Sequence, residues 1–222
     1  PLGPKGQKEE LREKLADAAG LSLTELEDCR RCLPADLLRL TPEDRLLILS
    51  PLSLWRTAAL VLAAQQAGTQ VWCVDGFSPK TALDLMRDQQ ITVSDWLPWQ
   101  MRDFLDAYPS PQTTGTALIG HRAAWVGGAR QPLELQTRMI DYWGGTLVQH
   151  LSQAGWPGCF AATTEHLRDL PVSSGLWRPG EISDSDFSEP KLTDKFGQIC
   201  QPQQIGVLSV APITTVTQAA TG

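Results

Sequence analysis

Two cysteines with two arginines between them, Cys29-Arg30-Arg31-Cys32, have the spacing of a redox or zinc pair, and the guanidinium groups beside them would lower a thiol pKa. A tetrahedral zinc site needs four ligands, and the chain supplies neither a second Cys-x-x-Cys nor a spaced histidine pair, so the Cys29/Cys32 pair reads as structural. The five cysteines (Cys29, Cys32, Cys73, Cys159, Cys200) are odd in number and scattered, which argues against a disulfide framework. His121 and His166 fall in loops with no carboxylate or cysteine at telling spacing, and His150 reads as a partly buried histidine with a backbone partner rather than a ligand contact. There is no Gly-x-Ser-x-Gly elbow and no His-Glu-x-x-His pair, so neither a nucleophilic serine nor a zinc protease site is encoded.

The stretch with most chemical promise is "WVGGARQPLELQTRMIDYWGG", residues 125–145: a short apolar strand, the glycines Gly127 and Gly128, then a helix. Glycines there let the backbone approach a flat ligand closely. They equally make the strand-to-helix turn that any parallel α/β sheet requires, and the turn is the favoured reading.

The elements around that turn follow a regular order. Residues 7–19 form a charged helix, and 21–40 hold a second helical stretch interrupted at Pro34. "RLLILS" (45–50) is an apolar run fit for a strand buried on both faces, and "LWRTAALVLAAQQAG" is a helix closed by Gly68. "QVWCVD" (70–75) is a strand, then "SPKTALDLMRDQQ" a helix with Ser78 as N-cap and Pro79 in its first turn. "ITVSDWLP" (91–98), "RAAWVGG" (122–128) and "TLVQHLS" (146–152) are further strands, separated by the helices "WQMRDFLDAY" and "QPLELQTRMIDYWG". Strand and helix alternating with short connections predicts right-handed crossovers and a mostly parallel sheet flanked by helices.

From Trp156 onward helical periodicity stops. Short apolar pieces such as "CFAATT", "KLTD" and "GVLSVAP", separated by Gly, Pro, Asp and Ser, predict a small β-rich subdomain. The expected organisation is an N-terminal helical segment over 1–40, an α/β subdomain over 41–155 and the β-rich subdomain over 156–222.

Composition excludes several classes. With 222 residues, 42% hydrophobic and 20% charged, the chain is an ordinary globular one. A net charge of −6 without a basic cluster gives nothing to hold nucleic acid. No apolar run approaches the roughly 20 residues of a bilayer span, and the N-terminus lacks the apolar core of a signal peptide. No membrane association and a cytoplasmic location are therefore expected. Pro1–Gly3 has the look of a cloning remnant, so the native chain is expected to begin near Pro4 and to be a piece of something longer.

The order of these pieces is similar to the middle of the large N-terminal domain of the adenylate-forming (ANL) superfamily: acyl-CoA synthetases, luciferases and peptide-synthetase adenylation domains. The likeness rests on "LTPEDRLLILSPLSLWRTAALVLAAQQAGTQVWCVDGFSPKTALDLMRDQQITVSDWLPWQMRDFL", on the Gly127-Gly128-Ala129 step, and on "GLWRPGE" and "KLTDKFGQICQPQQIGVLSVAP". It covers about residues 40–222 through many weak landmarks. It implies the central part of that α/β domain and, in an active member, a site for ATP and magnesium.

The same resemblance implies that the site is degraded. The family's Tyr-Gly-x-Thr-Glu falls on Leu151, Ser152, Gln153, Ala154 and Gly155. Leucine replaces the aromatic that would stack on adenine, Ala154 the threonine that would hold phosphate, and Gly155 the magnesium-binding glutamate. The family's later Gly-Glu-Leu glutamate is Val207, its earlier histidine falls near Ser53 or Leu54, and of its phosphate loop only Pro4-Lys5-Gly6 remains. Losing one transition-state donor costs roughly 3 to 4 kcal/mol, and several lost together leave little catalysis. The vestigial nucleotide positions are thus Gly127, Gly128, Ala129, Leu151, Ser152, Ala154 and Gly155, with no catalytic or metal residue and no cofactor expected.

The implied function is a truncated, non-catalytic adenylation-like domain kept as a structural or docking element, in or beside a nonribosomal peptide or polyketide synthetase, whose other domains or subunits are its partners. One alternative is part of an active ligase that activates a carboxylate with ATP and Mg. Another is a small-molecule binder that retains an acyl pocket without chemistry.

Overall fold

The computed structural model describes residues 5–32, 38–114, 118–128, 133–143, 146–151, 160–162, 191–193, 198 and 207–209. Two compact units divide the chain, residues 1–183 and 184–222. In the first, helices α1 (Lys5–Ala19) and α2 (Leu23–Cys32) precede the alternation β1 (Arg45–Ile48), α3 (Trp55–Ala67), β2 (Gln70–Cys73), α4 (Pro79–Asp88), β3 (Val93–Trp96) and α5 (Pro98–Ala107). A short 3-10 turn (Pro111–Thr114) then leads to β4 (Ala123–Gly127), α6 (Leu133–Trp143), β5 (Thr146–Leu151) and β6 (Phe160–Ala162). The second unit contains β7 (Lys191–Thr193) and β8 (Val207–Ser209), paired antiparallel.

Local chemistry sets the element ends. Ser22 and Glu25 cap α2 reciprocally: the Glu25 backbone N–H donates to Ser22 Oγ and the Ser22 N–H to Glu25 Oε2. Gly68 closes α3 in the left-handed region at φ 79°, where only glycine sits without strain. Ser78 caps α4 by accepting from the Thr81 N–H at 3.1 Å, with Pro79 in the first turn.

The main sheet runs β2-β1-β3-β4-β5-β6, parallel through β5 and antiparallel at β6. Phe160–Ala162, expected among the pieces of the β-rich tail, pairs with β5 at the edge of the main sheet instead. Strand periodicity divides the core in two. On one face Leu46, Ile48, Val93, Ala123, Trp125 and Val148 pack against α1, α2 and α3; on the other Leu47, Leu49, Trp96, Ala124, Val126 and Leu147 pack against α4, α5 and α6. Helices thus cover both faces, and nearly every strand residue of β1, β3 and β4 is buried.

At the N-terminal edge, the buried Asp44 just before β1 accepts from Arg122 Nε at 2.9 Å and from Arg122 Nη2 at 2.6 Å, while Arg122 Nη1 donates to the Leu38 carbonyl at 2.7 Å. This ties the chain after α2 to the start of β1 and β4.

Candidate functional site

In an open parallel sheet, ligands bind outside the carboxyl ends of the strands where crossovers depart in opposite directions. Here that point lies between β1 and β3: α3, which follows β1, packs on one face, and α5, which follows β3, packs on the other. The residues found there are polar and buried.

Asp95 of β3 is fully buried and points to the α3 face, in the register row Cys73, Ile48, Asp95, Trp125, Val148 across five strands. A bare carboxylate there would be prohibitively costly. Arg56 in the first turn of α3 neutralises it: Arg56 Nη1 donates to Asp95 Oδ1 at 2.8 Å and Nη2 donates to Ser50 Oγ at 2.8 Å. Arg56 Nε and Asp95 Oδ2 are buried and have no hydrogen-bond partner among the described residues. Gln100, in the first turn of α5, accepts from the Leu97 N–H at 2.8 Å and donates to the Leu49 carbonyl at 2.7 Å, joining α5 to the end of β1.

Gly127 ends β4 and is buried; Gly128 follows at φ 97°. A Cβ at Gly128 would lie 3.0 Å from Leu97 Cδ2 and 3.6 Å from Arg56 Nε, so the glycine step abuts the ion pair. Gly127 is in register with His150, and Leu151 ends β5 on the adjacent strand, so the sheet brings these positions to one edge. Ala129, Ser152, Ala154 and Gly155 lie outside the described residues, as do His166 and the side chains of His150 and Leu151.

Beside the switch point, over β1 and β2, an open cleft of about 590 Å³ is lined by Leu49, Pro51, Leu52, Val74, Phe77 and Trp99, with Asp75 and Ser53 at its polar side. Cys73 also borders it. Desolvation of its sulfur and the nearby Asp95 charge hold that thiol above its ordinary pKa, which makes it a poor nucleophile.

Of the Cys29/Cys32 pair, Cys29 is buried in the helical layer and the side chain of Cys32 lies outside the described residues; between them Arg30 pairs with Glu27 at 2.9 Å and Arg31 with Asp28. Among the described residues no group of histidine, cysteine and carboxylate side chains could hold a metal. Within those residues no helix is long and apolar enough to cross a membrane.

His121, read from the sequence as a loop residue, is buried between α6 and β3. Trp143 Nε1 donates to His121 Nδ1 at 2.6 Å, which leaves the proton on Nε2, 2.8 Å from Ser94 Oγ. Ser94 Oγ also accepts from Trp96 Nε1 at 2.6 Å. Burial, with help from the Arg122 charge, pushes the imidazole pKa down to about 3, so it is neutral at any physiological pH. The signals for Asp95 and Arg56 were in the sequence: one carboxylate in a run buried on both faces and one guanidinium in an apolar helix need each other.

The sequence matches no family profile. It also matches no curated protein. Its structure is similar to several solved ones. An artificially fused adenylation–PCP di-domain from Klebsiella oxytoca, NpsA-ThdA, aligns over 83% of this chain and 36% of that one, at 15% identity and a TM-score of 0.63. The o-succinylbenzoate coenzyme A synthetase of Bacillus subtilis, solved with ATP and magnesium ion, aligns over 82% and 36%, at 20% identity and 0.61. A benzoate CoA ligase from Burkholderia xenovorans aligns over 86% and 37%, at 13% identity and 0.65. The chain spans less than half the length of each. With the strand order, the two helical layers and the glycine step in place, this chain has the adenylate-forming fold, over part of its large N-terminal domain.

Proposed function

We propose that this chain is a non-catalytic adenylation-like domain that serves as a structural or docking element for other domains or subunits of a cytoplasmic biosynthetic enzyme, of the nonribosomal peptide or polyketide synthetase kind. The observation that carries this reading is the Arg56–Asp95 pair. It places the protein's own side chains between the carboxyl ends of β1 and β3, where a ligand of an open α/β sheet would enter, and both side chains are at most 3% exposed. The sequence adds Ala154 and Gly155 at positions where the resemblance calls for a hydroxyl and a metal-binding carboxylate. The likeness to an adenylation–PCP di-domain supports the synthetase setting.

The test is pyrophosphate exchange with ATP, magnesium and a panel of aryl and alkyl carboxylic acids. Exchange indistinguishable from the protein-free blank is expected, and acid-dependent exchange would overturn the reading in favour of a ligase that uses ATP and Mg. The docking role is checked by co-purification with a panel of carrier and condensation domains; a chain that elutes alone from every such mixture is no docking element.

The second reading, a small-molecule binder without chemistry, is favoured by the open cleft over β1 and β2.

A further inference from the structure

The cleft lies beyond the carboxyl ends of β1 and β2 and beside the start of α5, and neither Gly127 nor Gly128 lines it. Arg56 stands between the two places: its Nη2 donates to Ser50 on the cleft wall at 2.8 Å, and a Cβ at Gly128 would lie 3.6 Å from its Nε. A volume of about 590 Å³ falls within the roughly 300–1,000 Å³ of small-molecule sites. The lining is mostly apolar, and two rings form its lip: Phe77 and Trp99 meet edge-on, centroids 5.4 Å apart, with Trp99 half-exposed although the molecule buries Trp96 and Trp125 completely.

The polar side of the cleft is selective. Gln100 has its amide oxygen and nitrogen committed to Leu97 and Leu49, and Ser50 Oγ already accepts from Arg56. Among the described residues the single charged lining side chain is Asp75, an exposed carboxylate without an ion pair or hydrogen bond to any of them, and no lysine, arginine or histidine of that set lines the cleft. An anion would therefore meet a like charge and, among the described lining residues, only the Ser50 and Ser53 hydroxyls in place of a cationic partner, while a cation meets a carboxylate and the electron-rich face of an indole.

We propose that this cleft binds a small organic cation, an amine carried on a flat apolar body, with its ring against Phe77 and Trp99 and its ammonium group toward Asp75. The site stands whether or not the chain adenylates anything, so the exchange assay above and the binding assay below fail independently.

The experiment is calorimetric titration of the intact chain with three probes of one shape: tryptamine, tryptophol and indole-3-propionate, which are cationic, neutral and anionic. Tryptamine is expected to bind tightest, and indole-3-propionate about tenfold or more weaker. Asp75→Asn is expected to weaken tryptamine about fivefold, the scale of an exposed ion pair, and to bring it level with tryptophol. Trp99→Ala should weaken all three, and Asp103→Asn, an exposed carboxylate on α5 outside the cleft, should change none. All of these side chains are exposed, and circular dichroism checks that each variant keeps the fold. Equal affinity for the three probes, tryptamine binding indifferent to Asp75→Asn or equally sensitive to Asp103→Asn, or no tryptamine binding at several millimolar would each overturn the proposal.

Discussion

Arg56 Nη1 and Asp95 Oδ1 meet at 2.8 Å, with the side chains 3% and 0% exposed. Removing one partner of such a pair leaves the other charged, buried and unanswered, at a cost of about 3–5 kcal/mol. Arg56→Met is therefore expected to lower the urea midpoint sharply. Arg56→Met combined with Asp95→Leu should recover much of the loss, because the orphaned charge is gone. A double variant as unstable as the sum of the singles would mean the two residues do not act as a pair.

Acid should destabilise the protein in two stages. The buried His121 has its pKa lowered from 6.5 to about 3, so the unfolded chain binds a proton that the folded chain refuses. The stability it contributes is complete above pH 6.5 and is lost as pH falls toward 3. For Asp44, burial alone would raise the pKa, but hydrogen bonds from Arg122, Thr92 and the Thr41 N–H outweigh it and bring the value from 3.8 to about 2. Its contribution is present above pH 3.8 and is lost between there and about pH 2. Denaturation free energies across pH 3 to 8 should slope upward below neutrality, and His121→Gln should flatten the upper part of that slope.

Arg122→Ala removes a guanidinium that holds both oxygens of Asp44 and the Leu38 carbonyl. A loss of about 2 kcal/mol is expected, on the scale of hydrogen bonds to charged groups. The Asp44 pKa should rise with it, so the acid midpoint moves up. An unchanged acid transition would show that the Thr92 and Thr41 donors suffice.

Gly128→Ala places a side chain at φ 97° and a methyl 3.0 Å from Leu97 Cδ2. The backbone cost is about 1–2 kcal/mol. Leu97→Ala in the same chain removes the steric contact but not the backbone strain, so it should not restore stability. Thermal melts of the two variants decide this.

Much of the scaffold could be read from residue patterns. Gly68, Ser78 and Pro79 punctuate α3 and α4 where their backbone chemistry requires, and the runs at 45–50 and 122–128 are apolar at successive instead of alternate positions because each strand is buried on both faces. The site was harder to read. Asp95 and Arg56 are 39 positions apart and meet only because β3 lies beside β1. His121 does lie in a loop, but its burial was not legible, because its partners Ser94 and Trp143 come from two other elements. The tail gave β pieces, but local pattern could not say that residues 160–162 would join the first sheet, since strand pairing is a long-range choice.

Adjacent residues of β3 face opposite ways, Ser94 toward the tryptophan and histidine under α6 and Asp95 toward the arginine of α3. A slip of one residue in this central strand would thrust the carboxylate among indole rings and strand the guanidinium in hydrocarbon. Polar groups on the two sides of one short strand thus act as a key with teeth on both edges: misaligned pairings are penalised twice, and only one alignment of the sheet can be locked.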